Sequence, residues 1–118
     1  MSKRPSVNFT YLDQMSGGDP ASRRELLQML IKELKTFPRQ MSACLQSGDW
    51  DGLQKKSHHF KSTLPFAGYA ELIRTNKELE QLSRSRGDAK RAGELMKQVE
   101  GMCRQVLPVL EQELKRQA

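Results

Sequence analysis

Leu27, Leu30, Leu34, Phe37, Met41 and Cys44 recur at alternating steps of three and four residues. Apolar positions in that phase form one stripe on a helix. They cannot share one face of a strand, where the repeat is two. The stripe commits this part of the chain to a long amphipathic helix, which must bury it against partners of the same kind. Three further segments supply those partners. Leu53, Ser57, Phe60 and Leu64 form one stripe, and Leu72, Asn76, Leu79 and Leu82 or Ser83 form the next. Leu95, Val99, Met102, Val106 and Val109 form the last, widened by Cys103, Leu107, Leu110 and Leu114. No segment alternates as a strand would. Asn76, a polar residue in an apolar stripe, is expected to be buried with its hydrogen bonds satisfied.

Stop and start signals divide the chain. Phe9, Leu12 and Met15 are three apart, on one face of a short helix over 7–15 that Gly17-Gly18 ends. Asp19 as N-cap and Pro20 at the first helical position open a helix over 19–47. Pro38 is expected to bend this helix without ending it, because the stripe keeps its phase through it. Ser47-Gly48 stops it, and Asp49 caps a helix over 49–66 that weakens near Pro65 and breaks at Gly68. A fourth helix is expected over 69–86. Arg86-Gly87-Asp88 reads as a helix stop followed by an N-cap. A fifth helix follows over 89–116, bent at Pro108, with Lys115 and Arg116 at the negative end of its dipole. The expected fold is all-α: one domain over 1–118, an antiparallel up-down-up-down four-helix bundle with a short additional N-terminal helix across one end.

Composition narrows the function. The 118 residues suit a single core, and no apolar run reaches the roughly 18–20 residues that span a bilayer. Met1–Ser6 carries two basic residues with no apolar segment behind it, so it does not read as a signal peptide. No membrane insertion and a cytoplasmic location are the expectation. Cys44 and Cys103 fit no metal or redox spacing and read as buried thiols. With two histidines, both adjacent, and no paired cysteines, a metal site is not expected. The net charge is +6, but the basic residues are interleaved with Glu along the whole chain. That is the pattern of solvated helical faces rather than of a nucleic-acid surface.

Both histidines lie in Ser57-His58-His59-Phe60-Lys61-Ser62-Thr63-Leu64-Pro65-Phe66-Ala67-Gly68. With Phe60 pointing into the core, His58 lies about 200° around the helix and faces outward. His59 is about 100° away, a flank position expected to be half packed. Lys61 and Ser62 follow His58 by three and four residues and share its exposed face. A neighbouring ammonium disfavours protonation of an imidazole, and a neutral ring nitrogen is a nucleophile. The same ammonium can pair with a phosphoryl group once one is attached. From the residues alone, two readings of His58 stand: a surface histidine without a role, or a nucleophile and phosphate acceptor.

The segment from His58 to Thr63, with Gly68 ten residues after His58, resembles the signature of histidine-containing phosphotransfer (HPt) domains. That signature is a histidine, lysine at plus three, a small residue at plus four, Ser or Thr at plus five and glycine at plus ten. Leu12-Asp13 with Gly17-Gly18-Asp19-Pro20, Ser47-Gly48-Asp49-Trp50, and Leu79-Glu80-Gln81-Leu82 followed by Gly87-Asp88 resemble other parts of the family, so the resemblance covers nearly the whole chain. The plus-four residue is commonly glycine and here is Ser62. The residue before the histidine is commonly alanine and here is Ser57; both stay small. Counting from His59 would put Ser62 at plus three and lose the lysine, so the register belongs to His58.

The resemblance implies a phosphoryl carrier without a cofactor of its own and without kinase activity. His58 is then the acceptor and Lys61 stabilises the phosphoryl group. Gln54, Lys55, Ser62, Pro65 and Gly68 shape the site and the docking surface, with Gly68 letting the fourth helix approach the histidine helix. Tyr11 and Ile31 are candidate exposed apolar contacts. The partners implied are response-regulator receiver domains, which bring Mg²⁺, and a sensor or hybrid histidine kinase. The domain is expected to work as a monomer. No phosphate loop or kinase ATP-binding motif occurs in the sequence. Three alternatives remain: a degenerate receiver-binding module without phosphotransfer, a basic helical nucleic-acid binder, and a hydrolase using His58. Few carboxylates are expected near His58, which weighs against the hydrolase.

Overall fold

The computed structural model describes residues 5–117; most of Met1–Ser6, the segment read as no signal peptide, lies outside them. Five helices follow one another: α1 (Thr10–Ser16), α2 (Pro20–Gln46), α3 (Trp50–Thr63), α4 (Ala70–Arg84) and α5 (Ala89–Gln117). A single 3-10 turn, Leu64–Phe66, extends α3. The four long helices form a closed ring in which α2 packs on α3 and α5, and α4 packs on α3 and α5. Their short connections make neighbours antiparallel. The short α1 lies on α2 and on the 3-10 turn. The expected helical bundle is therefore the fold, and no strand occurs among the described residues.

The stripes of the long helices make the core. Leu27, Leu30, Leu34 and Met41 from α2, Leu53 and Phe60 from α3, Leu72 and Leu79 from α4, and Leu95, Val99 and Val106 from α5 are all buried. Phe37 and Cys44 are only half-buried, at the edge of the stripe. Phe37 stacks on Phe60, ring centroids 5.5 Å apart. On α5 the buried line runs through Cys103 and Leu110, whereas Met102 and Val109 sit half-exposed beside it. Ile31 is buried too, which corrects its assignment to an exposed docking surface. It follows Leu30 and widens the core face of α2.

Helix ends follow local chemistry. The Asp19 carboxylate accepts hydrogen bonds from the Ser22 amide (3.1 Å) and hydroxyl (2.6 Å), and Asp49 accepts from the Gly52 amide (2.9 Å). Several expected boundaries move. The first helix starts at Thr10 rather than at residue 7, because the Asn8 amide donates to the Ala67 carbonyl (3.0 Å) and the Asn8 side chain accepts from the Thr10 amide (2.9 Å). Residues 7–9 therefore run alongside the turn after α3. The third helix, expected to reach 66, ends at Thr63 and tightens into the 3-10 turn, where Pro65 has no N–H to continue an α-helical ladder. The fourth ends at Arg84, and Arg86 just beyond it adopts a left-handed φ of 52°.

One end of the bundle is tied by Arg23, which is largely buried. Its guanidinium donates to Asp13 on α1 (2.7 Å), pairs with Glu113 on α5 (2.9 Å) and donates to Gln117 (2.9 Å). Gln117 in turn donates to the Pro20 carbonyl (2.6 Å). Hydrogen bonds from Arg116 hold the Glu113 carboxyl below the usual range; burial opposes this and Arg23 adds to it. A group whose folded pKa is lowered stabilises the fold above its unfolded pKa, and that stability is lost as pH falls through the folded value. Glu113→Gln should therefore lower stability at neutral pH. The gap from the parent should stay constant down to about pH 5 and close below about pH 4, around and below the ordinary Glu value of about 4.3. Urea denaturation at a series of pH values measures this.

Gly68 has φ +60°, and a Cβ there would overlap the carbonyl oxygen of Asn8. This close approach is to the N-terminal segment, which corrects the expectation that Gly68 lets α4 approach the histidine helix. Gly68→Ala should destabilise the protein by about 1–3 kcal/mol through strain and displacement of residues 7–9. Urea denaturation should show a lower midpoint with the native helix content retained.

Candidate functional site

The seam between α3 and α4 begins with a small residue. Ser57 is fully buried, and the Asn76 side-chain amide from α4 donates to its carbonyl oxygen (2.9 Å). Asn76 is buried as expected but not fully satisfied, because its Oδ1 has no partner. The bond sets α4 beside the residue that precedes His58. One turn after Asn76 comes Glu80, whose side chain is 4% exposed, and its Oε2 lies 2.8 Å from His58 Nδ1. Lys61 Nζ is 3.8 Å from the other carboxylate oxygen, and Arg84, one turn further along α4, is 3.0 Å from Oε2. His58, Lys61 and Arg84 thus converge on one carboxylate.

Burial would raise the pKa of Glu80, but the His58 hydrogen bond, Lys61 and Arg84 together hold it below the usual carboxylate range. An ionised carboxylate only accepts hydrogen bonds, so His58 donates Nδ1–H. In the neutral ring that proton placement leaves Nε2 as the nitrogen with a free lone pair. The His58 side chain is 57% exposed. The result is an oriented nucleophile on an open surface, with two cations held on the carboxylate that orients it.

His59 differs from expectation. It is not half packed: its side chain is 62% exposed, slightly more than that of His58. The ring lies flat against Phe37 with centroids 4.9 Å apart, so one face is covered while the edges remain open. Its Nε2 is 3.4 Å from Glu33, whose other oxygen accepts from the Thr63 hydroxyl (2.6 Å). His59 therefore bridges α3 to α2, on the opposite side of the helix from Glu80.

The other sequence candidates divide. Lys55 and Ser62 are exposed on α3, and the Ser62 hydroxyl donates to the His59 carbonyl (2.7 Å). Gln54 is half-buried, as is Pro65 in the 3-10 turn. Gly68 belongs to the contact with Asn8 instead. Tyr11 is 38% exposed and packs on Phe66, centroids 4.9 Å apart. The expectation of few carboxylates near His58 missed Glu80, and Arg84 was missed with it. The available signal was a carboxylate one turn after the inward-facing Asn76, with an arginine one further turn on. No cluster of three or more His, Cys, Asp or Glu suited to a metal occurs among the described residues, and no helix there is long and apolar enough to cross a membrane.

No protein-family model matches the sequence, and no curated protein sequence matches it. Solved structures do. The chain is similar to histidine-containing phosphotransfer protein B (HptB) from Pseudomonas aeruginosa PAO1, with a TM-score of 0.84 and 28% identity over 97% of this chain and 98% of that one. It also shares the fold of the HPT domain from a sensor hybrid histidine kinase of Shewanella, with a TM-score of 0.78 and 14% identity over 93% and 94% of the two chains. Agreement over nearly the full length of both chains gives this chain the helical-bundle fold of these histidine-containing phosphotransfer (HPt) proteins, and its third helix carries the segment that resembles their histidine signature.

Proposed function

We propose that this chain carries a phosphoryl group in a two-component phosphorelay, with His58 as the acceptor. The observation that carries the reading is the His58–Glu80 hydrogen bond, which leaves Nε2 free on an exposed helical face. A receiver domain carrying an aspartyl phosphate docks over α3. The Nε2 lone pair attacks phosphorus in line, the bond to the aspartate oxygen breaks, and the carboxylate leaves. Mg²⁺ belongs to the receiver and supplies most of the charge stabilisation, as expected where catalysis is positioning plus electrostatics. Lys61 lies close enough to turn from Glu80 to the phosphoryl oxygens. The reaction runs in reverse toward a second receiver.

Lys55, Ser62, Gln54 and Pro65 form the docking strip beside His58. Tyr11 and Met15, both exposed on α1, extend it with apolar area next to the 3-10 turn. The carrier acts as a monomer in the cytoplasm and takes its phosphoryl group ultimately from a sensor or hybrid histidine kinase.

His58→Gln should abolish acceptance from a phosphorylated receiver, whereas His59→Gln should retain most of it. Lys61→Ala should slow transfer or shorten the phosphohistidine lifetime without unfolding the bundle. Rapid-quench transfer assays separate these outcomes, and acceptance by the His58 variant but not the His59 variant would reverse the register. Purified protein incubated with labelled ATP and no kinase should remain unlabelled; incorporation would mean an activity of its own and would exclude the carrier reading.

A further inference from the structure

Glu80 does more than select a tautomer if His58 is the phosphoryl acceptor, the reading on which this inference rests. Attack by Nε2 converts the neutral ring into an N-phosphoryl imidazolium, with the positive charge shared onto Nδ1–H. That proton lies in the 2.8 Å bond to a carboxylate that is almost wholly shielded from water. The next transfer breaks the bond between Nε2 and phosphorus as an aspartate oxygen attacks phosphorus, and the electron pair returns to Nε2. If Nδ1 still holds its proton, the leaving group is neutral imidazole. If the proton has gone to water, the leaving group is imidazolate, a far stronger base and a far poorer leaving group.

We propose that Glu80 keeps the proton on Nδ1 of phosphorylated His58, so that the phosphoryl group departs from a neutral imidazole and His58 is an efficient donor at neutral pH. The carboxylate acts through the ring and does not touch phosphorus, so it is a positioning residue. The charged groups around it are few. His58 and Lys61 reach it from α3 and Arg84 from its own helix. α5, the other helix packed on α4, turns Ala92, Leu95, Met96 and Val99 into the core. Lys61 and Arg84 compete with the ring for the same two oxygens. A phosphoryl group on Nε2 offers both cations new oxygens, and each one that leaves Glu80 strengthens the hold of the carboxylate on the Nδ1 proton.

The test uses the full chain, ¹⁵N-labelled and carrying His59→Gln so that one histidine remains, phosphorylated with phosphoramidate and therefore without any receiver. The ¹⁵N shift of Nδ1 is followed against pH in this parent, in Glu80→Gln and in Arg84→Gln, while ³¹P signals report phosphoryl loss. The parent should keep its Nδ1 proton to a pH at least about one unit above Glu80→Gln, equivalent to about tenfold in proton occupancy. Its rate of phosphoryl loss should fall off at correspondingly higher pH. Arg84→Gln removes a competing cation and should move the titration upward, opposite to Glu80→Gln. Coincident titrations, or shifts of both variants in one direction, would overturn the proposal. If Glu80→Gln does not fold, the direction of the Arg84→Gln shift decides alone. Failure of receivers to exchange phosphate with His58 would remove the relay function while leaving the titration result intact; efficient exchange with coincident titrations would do the reverse.

Discussion

The buried amide of Asn76 bonded to the Ser57 carbonyl governs the geometry of everything on the exposed side of α3 and α4. Apolar side chains fill space but specify helix register weakly, because a stripe of leucines can slide past another at modest cost. A directional bond in a dry interface resists sliding, since a displaced amide would lose its acceptor without gaining water. Here it leaves Asn76 Oδ1 without a partner, a cost accepted inside the bundle. In return, α4 meets α3 in the one register that sets Glu80 against His58. The small Ser57 belongs to the same device, because a larger side chain there would hold α4 away.

The carboxylate placed by this register is a concentrated electrostatic feature. Glu80 is nearly inaccessible to solvent and is stabilised by three partners that are themselves about half exposed or more. Exposed ion pairs contribute little to stability, whereas breaking a buried carboxylate away from its partners is costly. The arrangement therefore contributes orientation more than stability. It fixes the plane and tautomer of an imidazole that would otherwise rotate freely on an open helical face. The opposite flank has a weaker counterpart, His59 against Glu33 and Phe37, which joins α3 to α2. The histidine helix is thus held on both sides while its outer face stays open.

The ends of the bundle secure this frame. Arg23 joins α1, the start of α2 and the end of α5 through side chains distant in sequence. At the end of α3, the Asn8 amide binds Ala67 across a space that only glycine at 68 leaves open. That contact carries α1 onto the 3-10 turn and brings Tyr11 against Phe66. The plus-ten glycine of the signature thus has a structural neighbour that helix geometry alone does not reveal. The sequence marks Gly68 as a break between two helices that approach each other, whereas its contact comes from a segment sixty residues earlier in the chain.

Periodicity and punctuation in the sequence determined the number, order and approximate bounds of the helices, their inward faces and the outward aim of His58, because these depend on residues three or four apart. The same local rule brought Lys61 onto the face of His58. It could not find Glu80 or Arg84 as members of the site, because their approach to His58 depends on the rotation and register of one helix against another. It misjudged Ile31 and His59 for a related reason. The edges of a buried stripe are set by how closely neighbours pack: Ile31 falls under cover, and the ring of His59 lies over Phe37 with its edges open. Local spacing thus placed an exposed imidazole beside an ammonium group, and only the tertiary structure supplied the buried carboxylate that orients it.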